Sequence, residues 1–171
     1  WRRPTSLPRE PTNGRAKSHQ LLQSGRMDRL PFVATELAEA YDRVGTLPVQ
    51  VVLHDVRSLY NVGAFFRTAD AVGLECLCLS GITARPPRRE IAKTALGAED
   101  HVRWEGWDDP SAGIEAIRER GYEVVAIETS ATAVDLFDWR PRFPVVLLFG
   151  HETDGLDPAL QARCDIEVRL P

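Results

Sequence analysis

The sequence of 171 residues has no run of about 18 apolar residues, which excludes an ordinary membrane-spanning helix. Its first residues lack the unbroken apolar core of a secretory signal. Cysteine is scarce. Cys76, Cys78 and Cys164 have no metal-ligand spacing and leave one thiol without a mate, so the expectation is a reducing cytoplasm and no metal. In the stretch after the first strand-like run the only glycine is Gly63, so the G-x-G-x-x-G dinucleotide fingerprint is missing, and no P-loop occurs anywhere. His151-Glu152 begins like a zinc-protease helix, but Gly155 stands where the second histidine belongs. Internal repeats are absent as well.

What is present is ordinary in composition and uneven in charge. Hydrophobic residues at 43% and charged residues at 27% are those of a globular domain rather than a disordered chain, and the length suits one domain. The net charge of −4 divides into +5 over residues 1–26 and −9 over the remainder. A basic head on an acidic body reads either as a nucleic-acid-binding arm or as a disordered leader or linker. The lack of apolar periodicity in residues 1–26 favours the leader. Residues 27–48 read as an N-terminal helix, over 32–44, and its connection, and residues 49–171 as the folded domain.

Strand and helix signals alternate from there on. The β-branched run 49–53 predicts a first strand; apolar residues at Val62, Phe65, Phe66, Ala69 and Val72 predict a helix with Asn61 as its cap and Gly73 as its stop. Further strands are expected at 74–79, 122–127, 145–149 and 166–170, with a brief extended piece at 101–104 and a turn or loop at 135–139. Helices are expected at 90–96, at 110–120 behind Asp109 and Pro110, and at 158–163. The run 145–149 is the most apolar, which predicts a central position buried on both faces. The class is therefore α/β, with a doubly wound, mostly parallel sheet of about five or six strands.

Two loops at strand ends stand out, around Asn61 and around Glu152, since the C-terminal edge of a parallel sheet is where ligands bind. Arg67 lies six residues after Asn61, within about 60° around the helix axis, so the pair makes a candidate polyanion site. The loop 150–155 has glycines at both ends and an acid between them, which reads either as a close backbone approach to a ligand or as a turn with a solvated acid. His54-Asp55 reads as acid/base chemistry or, more simply, as a packed histidine at a strand end. Arg85, Arg88, Arg89 and Lys93 form a basic cluster with no aromatic interleaved, suited to RNA phosphates or to plain solvated surface.

Asn61-x-Gly63-Ala64-x-x-Arg67-Thr68-Ala69 resembles the first motif of the SpoU/TrmH family of RNA ribose methyltransferases, in the SPOUT superfamily. Phe149-Gly150-x-Glu152-x-x-Gly155-Leu156 resembles the second, and Lys93-Thr94-Ala95-x-Gly97-Ala98 resembles the segment between them. The resemblance implies an α/β knot fold, and transfer of methyl from S-adenosylmethionine to a ribose 2′-hydroxyl of tRNA or rRNA. By motif position Arg67 is the catalytic arginine, while Asn61 shapes the catalytic pocket and Glu152 organises it. Cofactor contacts fall at Ile127, Thr129, Gly150, Gly155 and Leu170. The family also implies a homodimer.

The family's third motif begins near Leu170-Pro171 and continues into a segment that the sequence does not contain. The expectation is a domain truncated before its knot is complete, with weak or no activity alone and with apolar surface exposed around residues 166–170. A catalytically silent RNA-binding relative of the same fold is the alternative function. An α/β nucleotide-binding domain is the third.

Overall fold

A computed structural model describes residues 45–171. The expected leader over 1–26 and helix over 32–44 lie outside the described residues. The chain runs β1 (Leu47–His54), α1 (Leu59–Val72), β2 (Leu74–Ser80), α2 (Arg89–Ala95), a 3-10 turn (Ala98–Asp100), β3 (Trp104–Trp107), α3 (Pro110–Glu119), β4 (Glu123–Ile127), β5 (Val134–Asp135), β6 (Val145–Phe149), α4 (Pro158–Gln161) and β7 (Ile166–Arg169). The strands form one sheet in the order β3-β2-β1-β6-β4-β7-β5, and every pairing is parallel.

The period of two along each strand sorts the core into two layers. Val51 and Leu53 of β1 and Leu77 and Leu79 of β2 pack under α1 and α2, against Val62, Phe66 and Ile91. Val52, Cys76, Cys78, Val146 and Leu148 point to the opposite face and meet Ile114 and Ile117 of α3 and Leu160 of α4. Helices on both faces make the sheet doubly wound. Both β2 thiols are buried and free, as their place on one strand face predicts. β6 occupies the middle of the seven strands, as its apolar composition requires.

Three expectations need correction. The sheet has seven strands rather than five or six, because the two-residue β5 pairs with β7 at the edge, too short to leave a pattern in sequence. Asn61 is not the cap of α1. Ser58 is: its side chain accepts from the Asn61 amide at 3.2 Å, which starts the helix at Leu59 and frees the Asn61 side chain for other work. The extended piece expected at 101–104 begins only at Trp104, where pairing with Leu77 starts; His101 and Val102 instead close the 3-10 turn through bonds to Ala98 O.

The caps elsewhere follow the residues. Gly73 ends α1 in the left-handed conformation at φ 65°, and the Asp109 carboxylate accepts from the amides of Ser111 and Ala112 ahead of Pro110 in α3. β1 and β6 lie side by side, with Leu53 opposite Phe149. From that pair the chain leaves in opposite directions, β1 toward β2 through α1 and β6 toward β7 through α4. This divergence opens a crevice at the C-terminal ends of the two strands.

One close approach sets where α1 lies. A β-carbon at Gly63 would fall far inside van der Waals contact with Thr94 Oγ1 and Ile91 O, so α1 meets α2 there only because Gly63 has no side chain. Gly63→Val is expected to lower stability by about 1–3 kcal/mol through overpacking. Ala64→Ser, one residue on but exposed, is expected to stay within about 0.5 kcal/mol, both read as midpoints of urea unfolding.

Candidate functional site

After β1 the chain is steered by residues that follow β2. Asp55 adopts a left-handed φ of 59°, and its Oδ1 accepts from the Ile82 amide at 2.9 Å. Buried Thr83 accepts from the Val56 amide and donates to Leu53 O, at 3.0 and 2.9 Å. His54, 8% exposed, has Nδ1 at 2.9 Å from the Ser80 hydroxyl and Nε2 at 3.2 Å from the Asp55 carboxylate. These contacts make His54 a packed structural residue of the strand end.

The steering leaves the amides of Arg57 and Ser58 facing the loop that follows β6. Glu152 meets them: Oε2 accepts from Arg57 N at 3.1 Å, and Oε1 accepts from Ser58 N at 3.0 Å and from Asn61 Nδ2 at 3.1 Å. Since a carboxylate can only accept, the Asn61 side chain must turn its nitrogen toward it. Partial burial opposes ionisation of Glu152, but the amides of Ser58 and Arg57, its own amide and the Asn61 carboxamide outweigh that and bring its carboxyl down to about 2.

The loop itself is held by a His151–Gly155 pair of backbone hydrogen bonds, both 3.0 Å. Gly155 has φ 75°, and a β-carbon at Gly150 would overlap the backbone of Gly155 and Leu156, so both glycines are demanded by geometry. Glu128, at the end of β4, accepts from the amides of Leu156 and Thr129 and ties this loop to the neighbouring strand. Reading the sequence missed Glu128. Its one signal was its position between Ile127 and Thr129, immediately beyond an apolar strand.

Ile127, Thr129, Gly150, Gly155 and Leu170 line one cavity of about 360 Å³, which Glu152 also reaches. Asn61 lines a second hollow of about 200 Å³ with Ala64, Phe65 and Thr68, and the Phe65 ring of that hollow meets the Phe149 ring of the cavity edge to face at 5.0 Å. Arg67 sits exposed on α1 and, among the described residues, takes no hydrogen-bond or ion-pair partner, so no such bond joins it to Asn61 or Glu152. The basic cluster is divided. Arg85 donates to Trp107 O and to Asp108 at 3.2 and 3.1 Å, whereas Arg88, Arg89 and Lys93 are exposed. Among the described residues no cluster of His, Cys, Asp and Glu has the form of a metal site, and no helix is long and apolar enough to cross a membrane.

Because the folded carboxyl of Glu152 titrates below its ordinary value of 4.5, its contribution to stability is fully present above that value and is lost as pH falls toward about 2. The wild-type chain is expected to melt higher than Glu152→Gln near neutral pH, and the gap to close across this acid window. Thermal melts followed by circular dichroism at several pH values check it; a gap independent of pH contradicts the ionised anchor.

Residues 48–171 match the SpoU rRNA Methylase family. The chain is 27% identical over 135 residues to the 23S rRNA (guanosine-2'-O-)-methyltransferase RlmB of Pseudomonas aeruginosa, covering 79% of this chain and 54% of that one. Among solved structures, an AdoMet-bound rRNA methyltransferase from Sinorhizobium meliloti is similar with a TM-score of 0.67 and 31% identity, over 72% of this chain and 47% of the other. The SpoU methyltransferase AviRb from Streptomyces viridochromogenes, in complex with AdoMet, has a TM-score of 0.62 and 28% identity, over 75% of this chain and 49% of the other. The chain spans about half the length of the curated relatives it matches. The family match starts at β1 and includes both strand-end loops and the carboxylate that joins them: the chain belongs to the SpoU rRNA methylase family.

Proposed function

We propose that this chain carries the catalytic domain of an S-adenosylmethionine-dependent RNA 2′-O-ribose methyltransferase acting on tRNA or rRNA. The observation that carries the reading is the carboxylate bridge from Glu152 to the start of α1, which sets a glycine-bounded cavity beside the helix bearing Asn61 and Arg67. The cavity suits the cofactor. Its volume falls in the range of small-molecule sites, it mixes apolar Ile127, Phe149 and Leu170 with backbone polar groups, and at Gly150 the fold leaves no room for a side chain. Ile127, Thr129, Gly150, Gly155 and Leu170 would hold the cofactor, largely through their backbone. Bound there, it supplies a methyl group already activated as a sulfonium.

The chain's own task is then alignment and a more nucleophilic oxygen. Arg67 is exposed and, among the described residues, no carboxylate competes with an anion for its guanidinium. It is a poor proton acceptor, because its pKa exceeds about 12. Its role in this reading is to stabilise the alkoxide developing at the 2′-oxygen and to grip the adjacent phosphate. Glu152, ionised at working pH, holds the Asn61 amide and the first turn of α1, and so positions the helix that presents Arg67. The whole protein is proposed to act as a cytoplasmic homodimer. The free thiols Cys76, Cys78 and Cys164 support a reducing compartment.

Methyl transfer to mixed tRNA and rRNA by the full-length protein, with labelled S-adenosylmethionine, tests the reading. Arg67→Ala is expected to lose about 10²–10³-fold in turnover while calorimetry shows unchanged cofactor binding. Unchanged turnover in this variant sinks the assignment of Arg67, and a wild type that binds RNA but no cofactor identifies a silent relative.

A further inference from the structure

The basic residues of α2 have no aromatic beside them in sequence, but the fold supplies one. Tyr60, at the second position of α1, is 50% exposed, and Lys93 Nζ lies 5.9 Å from its ring centroid. The ring's mounting is rigid: Thr94 Oγ1 donates to Tyr60 O at 2.9 Å, and the bare backbone of Gly63 locks α1 against α2 one turn further on. The Tyr60 hydroxyl has no hydrogen-bond partner among the described residues.

Charge singles out the same face. Away from α1 and α2, most of the described arginines are committed to carboxylates, as in Arg103–Glu105, Arg118–Asp165, Arg142–Glu123 and Arg163–Glu115, and Arg140 is bound to carbonyls. Among the described residues six exposed cations have no ion pair; Arg140 is one, its guanidinium bound to the carbonyls of Phe137 and Trp139, and the other five, Arg57, Arg67, Arg88, Arg89 and Lys93, are all on α1, the loop before it, or the start and body of α2. On an acidic body, the cations without a carboxylate partner among the described residues thus lie mainly on the two helices that carry Tyr60 and Lys93 and on the loop between β1 and α1. Along α1, Tyr60, small Ala64 and Arg67 follow one another at helical spacing and are all exposed, so ring and guanidinium share a stripe about 10 Å long.

We propose that Tyr60, backed by Lys93, is a stacking platform for an unpaired RNA base next to the target ribose, with Arg88 and Arg89 on the flanking phosphates. The substrate is then a single-stranded loop or end rather than a duplex. A base already stacked within an A-form helix cannot lie on the ring, whereas a splayed base has its face free. The place of the base beside a methylated ribose rests on the methyl-transfer reading, but the platform itself requires only RNA.

The test uses the full-length protein and a fluorescently labelled RNA of about a dozen nucleotides, single-stranded or annealed to its complement, with binding read by anisotropy. Tyr60→Ala is expected to weaken single-strand binding by roughly 10-fold or more and to leave duplex binding unchanged. Tyr60→Phe keeps the ring and is expected to bind within about twofold of wild type; it also controls for folding. Arg89→Ala is expected to reduce the slope of log affinity against log salt by about 0.7, while Tyr60→Ala leaves that slope alone. Equal losses on single strand and duplex, or a Tyr60→Phe as weak as Tyr60→Ala, overturn the platform. Cofactor calorimetry and methyl transfer on the same preparations keep the two readings apart. An active enzyme whose Tyr60→Ala variant binds single strands normally refutes the platform alone, and an inactive protein with the single-strand loss refutes methyl transfer alone.

Discussion

Much of the site depends on one carboxylate. Glu152 receives two backbone amides and a side-chain amide from a segment about 90 residues earlier in the chain, and it is the point where the loop after β6 is fastened to the loop after β1. The two backbone donors lie at the entry to a helix, where amides have no partner within it. An ionised acceptor satisfies them together, and in exchange they keep it ionised. The interaction belongs at this place because β1 and β6 are neighbours whose connections leave in opposite directions, which opens the edge of the sheet there and nowhere else along that pair.

The glycines serve the same end by letting backbones come close. Gly63 brings α1 onto α2, and Gly150 and Gly155 fold the loop back on itself at distances that exclude a β-carbon. Glu128 fastens the far side of that loop as Glu152 fastens the near side. The cavity is therefore bounded by backbone held from two directions, with strands β4 and β6 as its floor. A wall of this kind depends little on side-chain identity, which fits a family whose members share about a quarter of their residues with this chain and keep the fold.

Most elements could be read in advance because their causes are local. The alternating apolar runs of β1, β2, β4 and β6 bury two faces, and Asp109-Pro110 and Gly73 mark helix ends by satisfying or releasing backbone groups nearby. The misreadings have causes outside the segment concerned. Ser58 and Asn61 are both competent caps, and only the steering of the chain by Thr83 and Asp55 selects the earlier one. β5 has two residues and owes its existence to β7, and the start of β3 is set by where β2 offers Leu77 as a partner. Arg85 looked equivalent to Arg88 and Arg89 in sequence, yet Asp108 and the carbonyl of Trp107 claim it.

The amino-acid sequence by itself determined the α/β class, the parallel central strand, the two glycine-bearing motifs and the family, since these rest on periodicity and on short-range spacing. The tertiary structure decided which acid meets which amides, that Glu128 closes the cavity, which cations stay unpaired, and that Tyr60 stands beside Lys93. Those are contacts between segments tens of residues apart. Nothing in the spacing of one segment records where the other will lie until the sheet order brings their ends together.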